Sequence, residues 1–146
     1  MVSFNQHYIM GGMQDEVFMR QAIAAARLGQ GRVEPNPMVG AVIVRDGQVL
    51  ATGHHARFGG LHAEAEALRD CREKGIDPAG ATIYVTLEPC SHFGKQPPCA
   101  QAVIDAGIVR VVVGIPDPFE PVAGKGIPML QAAGIEVAVG VCKEEA

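Results

Sequence analysis

His62, Glu64, Cys90 and Cys99 are the residues whose types and spacing could do chemistry together. One histidine and two cysteines supply three protein ligands to a tetrahedral zinc ion. Three ligands leave the fourth position for water, the pattern of a catalytic rather than a closed structural site. Glu64, two residues past the histidine, is a carboxylate placed to move that water's protons. A zinc-held water has a pKa lowered from about 15.7 toward about 7, so a nucleophile is available at neutral pH. Such a nucleophile suits attack on a ring carbon that carries an exocyclic amine. Glu64 would take the proton and return protons to the ring nitrogen and to the amine, which leaves as ammonia. The cysteine–histidine set alone could equally be a structural site completed by His92, His55 or Cys142. Glu64 and the two Pro-Cys pairs, Pro89-Cys90 and Pro98-Cys99, favour catalysis.

The elements around these residues must bring them to one place. Residues two apart on a regular helix point to different sides. His62 and Glu64 therefore share a cavity only if the histidine sits where the backbone is entering a helix, and Gly59-Gly60-Leu61 fits that placement. Apolar residues at Val17, Phe18, Ala22, Ile23, Ala26 and Leu28 give a helix over Glu16–Leu28, ended by Gly29 and Gly31, and a β-branched run gives a strand over Val39–Val44. Asp46-Gly47 is a strong hairpin signal, with Val49–Thr52 returning antiparallel. Then follow a helix over His62–Lys74, a buried strand over Ala81–Leu87, and a helix over Pro98–Ala106 with proline in its first turn. A buried strand over Ile108–Ile115, a helix over Ile127–Ala133 and a strand over Ile135–Val141 complete the order. A hairpin followed by alternating units predicts a five-stranded mixed sheet with helices on both faces, a three-layer α/β/α arrangement. Cys90 would follow one buried strand and Cys99 open the next helix. Two helix N-termini then converge on the metal, their positive ends favouring thiolates.

The chain has 146 residues, 48% hydrophobic and 19% charged, and reads as one domain. Residues 1–12 show no helical or strand pattern and are expected to be a flexible leader or a cloning remnant; residues 13–146 form the domain. A formal net charge of −4 argues against non-specific nucleic-acid binding. The apolar stretches are too short to span a bilayer, and no signal peptide is apparent, so a cytoplasmic protein is expected. Cys71, in a helical pattern, and Cys142, near the end of the chain, read as packing residues.

The stretch from Thr86 through Glu88-Pro89-Cys90-Ser91-His92-Phe93-Gly94-Lys95 to Pro97-Pro98-Cys99 resembles the zinc loop of the riboflavin-biosynthesis pyrimidine deaminases. These form half of a bifunctional deaminase–reductase and have a cytidine deaminase-like fold. The resemblance runs from about Glu16 to Val139. It includes Asn36-Pro37-Met38-Val39-Gly40, Gly53, His55 and Gly59 ahead of His62, Asp117-Pro118, and Val122-Ala123-Gly124-Lys125-Gly126. Its most specific element is the eight-residue gap, Ser91 to Pro98, between the cysteines. Cytidine deaminases and tRNA adenosine deaminases share the His-x-Glu element but keep their cysteines close together.

The resemblance implies deamination of 2,5-diamino-6-ribosylamino-4(3H)-pyrimidinone 5′-phosphate to 5-amino-6-ribosylaminouracil 5′-phosphate. It implies zinc on His62, Cys90 and Cys99, with Glu64 as proton shuttle. Asn36, His55, His92, Lys95 and Asp117 match substrate-facing positions. Lys95 suits a phosphate as a point charge, and Asn36 offers donor and acceptor to a pyrimidine edge. Phe119 stands where the family often has an asparagine that helps hold the ribosyl part. A reductase, fused or separate, is the implied partner, and the apolar content permits a homo-oligomer. With no dinucleotide-binding glycine motif, no nicotinamide use is expected. The alternatives are a deaminase of another nucleoside or nucleobase, and a non-catalytic zinc-bearing interaction domain.

Overall fold

The computed structural model describes residues 2–29, 39–54, 62–87, 99–115 and 126–142, with side chains from residue 14 onward. Helix α1 (Val2–Ala26) leads through a 3-10 turn (Arg27–Gly29) toward the hairpin of β1 (Gly40–Arg45) and β2 (Gln48–His54). Then come α2 (Ala63–Glu73), β3 (Thr82–Leu87), α3 (Cys99–Asp105), β4 (Arg110–Ile115), α4 (Gly126–Ala132) and β5 (Glu136–Val139). The strands form one sheet in the order β2-β1-β3-β4-β5. β1 is antiparallel to both β2 and β3, while β3–β4 and β4–β5 are parallel. This is the mixed sheet the sequence predicts.

Alternation along the strands assigns each side chain to a layer. Ala41, Ile43, Ile83, Val85, Val111 and Val113 face α2, α3 and α4, where Ala67, Leu68, Cys71, Val103 and Leu130 complete the larger core. Val42, Val44, Tyr84 and Val112 face the other way, onto Phe18, Met19, Ala22 and Ile23 of α1. Both faces of β3 and β4 are covered, which explains why these strands read as continuous apolar runs.

Asp46 and Gly47 both have positive φ, 54° and 75°, as a two-residue type I′ hairpin turn requires. The β1–β2 register shifts between Ile43, opposite Ala51, and Val44, opposite Val49, which leaves Leu50 as the extra residue of a bulge.

Two departures from the sequence reading concern α1. The helix starts at Val2, so it runs through residues 2–12, which show no helical pattern. Its buried stripe is Phe18, Met19, Ala22, Ile23 and Ala26, whereas Val17 and Leu28 are 50% and 63% exposed. Spacings of three and four keep the first set on one side; Val17 and Leu28 fall beside it.

A polar cluster pins α1 to the sheet. Asp15 Oδ1 accepts from the Tyr84 hydroxyl at 2.7 Å and Arg110 Nη1 at 2.8 Å, and its Oδ2 accepts from Arg110 Nη2 at 2.7 Å. Arg110 also donates through Nε to Glu136 on β5 at 2.7 Å. Burial alone would push the Asp15 carboxyl up; hydrogen bonds from Arg110 and Tyr84, with the guanidinium charge, outweigh it and hold the group below the usual carboxylate range.

Helix α2 is held against the outer edge of β2. Asp70 accepts the Thr52 amide at 3.2 Å, and Lys74 donates to the Leu50 carbonyl at 3.2 Å. Backbone groups that would otherwise be open to another strand are thereby engaged. Among the described residues, no helix is long and apolar enough to cross a membrane.

Candidate active site

Helix α2 begins one residue after His62, which is its N-cap with extended backbone (φ −71°, ψ 163°). The His62 carbonyl accepts the first intrahelical bond, from the Glu66 amide at 2.9 Å. Because the histidine is still outside the helical spiral, the rule that separates residues two apart on a helix does not apply to His62 and Glu64. The two residues differ in environment: His62 is exposed, whereas Glu64 is 3% exposed. The first turn of α2 carries Glu64 and Glu66, negative charge at the positive end of the helix.

Cys99 is the first residue of α3, directly after Pro97-Pro98, and is buried. Proline is well suited to a helix start because its missing N–H would have no partner there. The structure thus brings the starts of α2 and α3 together, and His62 Nδ1 lies 3.0 Å from Cys99 Sγ. Donor atoms of two ligands on one tetrahedral zinc are about 3.5 Å apart, given Zn–N of about 2.0–2.1 Å and Zn–S of about 2.3 Å. The observed spacing therefore lets both side chains reach a single ion, and an imidazole–thiolate pair is a donor set suited to zinc. Cys90, Asn36, His55, His92, Lys95, Asp117 and Phe119 lie outside the described residues. Among the described residues, no three His, Cys, Asp or Glu side chains group as a metal site.

The position of α2 depends on a glycine. A Cβ at Gly53 of β2 would collide with the Ala63 carbonyl and the Ala67 amide, and would lie 3.0 Å from the Ala67 Cα. Backbone meets backbone here, one residue from Glu64. Gly40 of β1 plays the same part toward α1: a Cβ there would collide with the Ala22 carbonyl and lie 2.6 Å from the Ala26 amide nitrogen. In the sequence both were letters in a resemblance; a glycine inside an apolar strand was the available signal for close approach. Cys71 is fully buried in the larger core and Cys142 packs against the α1-side cluster, so both are packing residues.

The family model described as the cytidine and deoxycytidylate deaminase zinc-binding region matches residues 13–115. The riboflavin biosynthesis protein RibD of Escherichia coli is 51% identical over 134 residues, 92% of this chain and 36% of that protein. The diaminohydroxyphosphoribosylamino-pyrimidine deaminase of Buchnera aphidicola is 43% identical over 133 residues, 91% of this chain and 88% of that protein. A crystal structure from Thermotoga maritima, a diaminohydroxyphosphoribosylaminopyrimidine deaminase / 5-amino-6-(5-phosphoribosylamino)uracil reductase, superposes with a TM-score of 0.89 at 51% identity. That match covers 92% of this chain and 38% of the other. The chain thus spans about a third of the length of its RibD relatives and nearly all of the Buchnera protein. With its sheet order, its paired helix starts and these matches in agreement, the chain belongs to the cytidine and deoxycytidylate deaminase family and, within it, to the pyrimidine deaminases of riboflavin biosynthesis.

Proposed function

We propose that this chain catalyses the zinc-dependent hydrolytic deamination of 2,5-diamino-6-ribosylamino-4(3H)-pyrimidinone 5′-phosphate to 5-amino-6-ribosylaminouracil 5′-phosphate. One observation carries the reading: His62 Nδ1 and Cys99 Sγ are 3.0 Å apart at two helix starts, and Glu64, in the first turn of the helix that His62 caps, is buried. The Buchnera relative, matched over most of its length, is named for this deaminase. His62 and Cys99, joined by Cys90, would hold zinc, which when bound makes its water acidic enough to supply a nucleophile near neutral pH.

Glu64 does the proton work. Its carboxylate carries the attacking water's first proton to the ring nitrogen, and then the second, from the hydroxyl so formed on the ring carbon, to the amine that departs as ammonia. Burial keeps bulk water from competing for that proton. Transfer of this kind contributes typically ~10²–10⁴-fold. On the substrate side, Asn36 would hold the pyrimidine edge, Lys95 the phosphate as a point charge, and His55, His92 and Asp117 the remaining polar groups. Residues 13–146 would act as one cytoplasmic deaminase domain. A uracil reductase, the second activity named for the Thermotoga relative, would consume the product.

The test measures ammonia release by the zinc-loaded protein from the diaminopyrimidine ribosyl phosphate and from cytidine in parallel. Turnover of the first substrate alone is expected. Preference for cytidine would move the chain to another specificity, and turnover of neither would overturn the reading.

A further inference from the structure

The geometry points to Thr86 as a positioning residue for the substrate-binding segment around Asn36, an inference that rests on the deaminase reading above. Thr86 is in β3 and 4% exposed, one of few buried polar side chains among the described residues. Its neighbours Val85 and Leu87 are apolar. Valine would have the same shape, a comparable strand preference and no hydroxyl to desolvate, so a buried threonine here calls for a use of its oxygen.

That use is visible. The antiparallel β1–β3 ladder runs from Val44↔Thr82 to Ala41↔Val85. The next step would set Gly40 opposite Thr86. There the Gly40 amide donates not to a carbonyl but to Thr86 Oγ1, at 3.2 Å and buried. Gly40 is also where β1 presses on the α1 backbone, so its peptide cannot drift toward the helix. It is held from a second side by β2, opposite His54. The Thr86 hydroxyl supplies the third constraint.

The chain on either side carries the proposed site. Gly40 comes four residues after Asn36, and Thr86 four residues before Cys90. One side-chain hydrogen bond therefore ties the end of the substrate-contacting segment to the strand that leads to a proposed metal ligand. Without it, the Gly40 amide is left buried without its acceptor. The Gly40 peptide then gains freedom to rotate, at the first residue of β1, four positions after Asn36 in the chain. Thr86 touches no reacting atom in this scheme; it acts through Asn36.

The experiment compares Thr86→Val, Thr86→Ser, Asn36→Ala and the double variant Thr86→Val/Asn36→Ala, all zinc-loaded and assayed well below their melting temperatures. Thr86→Val should bind zinc as wild type does and lose about tenfold or more in kcat/KM for the diaminopyrimidine substrate, mostly through KM. Thr86→Ser, which keeps the oxygen, should recover most of that loss. In the Asn36→Ala background the same change should cost less than about twofold, because residues that act through one another are non-additive. If Thr86→Val does not fold, Thr86→Cys, with its weak sulfur acceptor, carries the same expectation. A lowered melting temperature with wild-type kcat/KM, or an equal loss with and without Asn36, overturns the inference. Failure of the wild type to turn over the substrate overturns the deaminase reading instead.

Discussion

Replacing Gly53 by alanine tests whether contact between strand β2 and helix α2 sets the active site. The new methyl would sit 3.0 Å from the Ala67 Cα, with the Ala63 carbonyl and Ala67 amide closer still. Ordinary carbon–carbon contact is about 3.5–4.0 Å, so α2 must retreat by more than ~0.5 Å. No flexible side chain can absorb the shift, because every atom in the way is backbone. Overpacking of this kind costs about 1–3 kcal/mol, and roughly 3–10 °C in melting temperature for a domain of this size. His62 caps this helix and Glu64 lies in its first turn, so both move with it. A misplacement of about 1 Å can cost ~10²-fold in rate.

The assay pairs thermal unfolding by circular dichroism with ammonia release by the zinc-loaded protein well below the midpoint. Activity should fall about 30- to 100-fold, far beyond what the fraction unfolded explains. Gly134→Ala is the control. Its Cβ would meet nothing within 4 Å, and the φ of +86° confines its cost to about 1–2 kcal/mol of backbone strain. It should lose stability and keep its activity. A Gly53→Ala protein with wild-type rate and melting temperature would refute the reasoning.

Two further predictions concern the cores. The folded-state pKa of Asp15 is depressed, so its contribution to stability is present above the unfolded value of about 3.9 and is lost as pH falls through the folded value. Asp15→Asn should therefore cost about 1–3 kcal/mol at neutral pH, and the gap from wild type should narrow in acid; a gap that stays constant down to pH 2 would contradict the Asp15–Arg110–Tyr84 account. Burial, with help from the Asp70 charge, raises the pKa of the Cys71 thiol. Iodoacetamide should leave Cys71 unmodified in the native protein and label it on unfolding, as peptide mass mapping would show; native labelling would mean that α2 opens readily.

What could be read from the sequence was local. The apolar runs of β3 and β4 are legible because strands covered on both faces have no polar alternation to confuse with a helix. Asp46-Gly47 is legible because few residue pairs adopt positive φ twice in succession. The place of His62 followed from helix geometry alone, since a spacing of two admits only one position relative to the helix start. What was hidden depends on pairs far apart in the chain. Asp15 and Arg110 are 95 residues apart, and neither has a local pattern that announces the other. The bulge at Leu50 and the reach of α1 back to Val2 have no periodic signature. Val17 and Leu28 belong to the apolar pattern of the helix, yet both lie beside its buried stripe and are exposed. Met19, unbranched and adaptable, is fully buried in the cluster that includes Val42 and Tyr84. Thr86 was visible only as one letter of a motif until Gly40 was found against it.

The central claim is that Glu64 moves protons at a metal held by His62 and Cys99. Its most direct test compares wild type with Glu64→Gln for zinc content and for ammonia release from the diaminopyrimidine ribosyl phosphate. The account predicts equal zinc and a loss of turnover of at least ~10²-fold in the variant, because glutamine keeps the shape but cannot accept the water's proton. Undiminished turnover with zinc bound would contradict it.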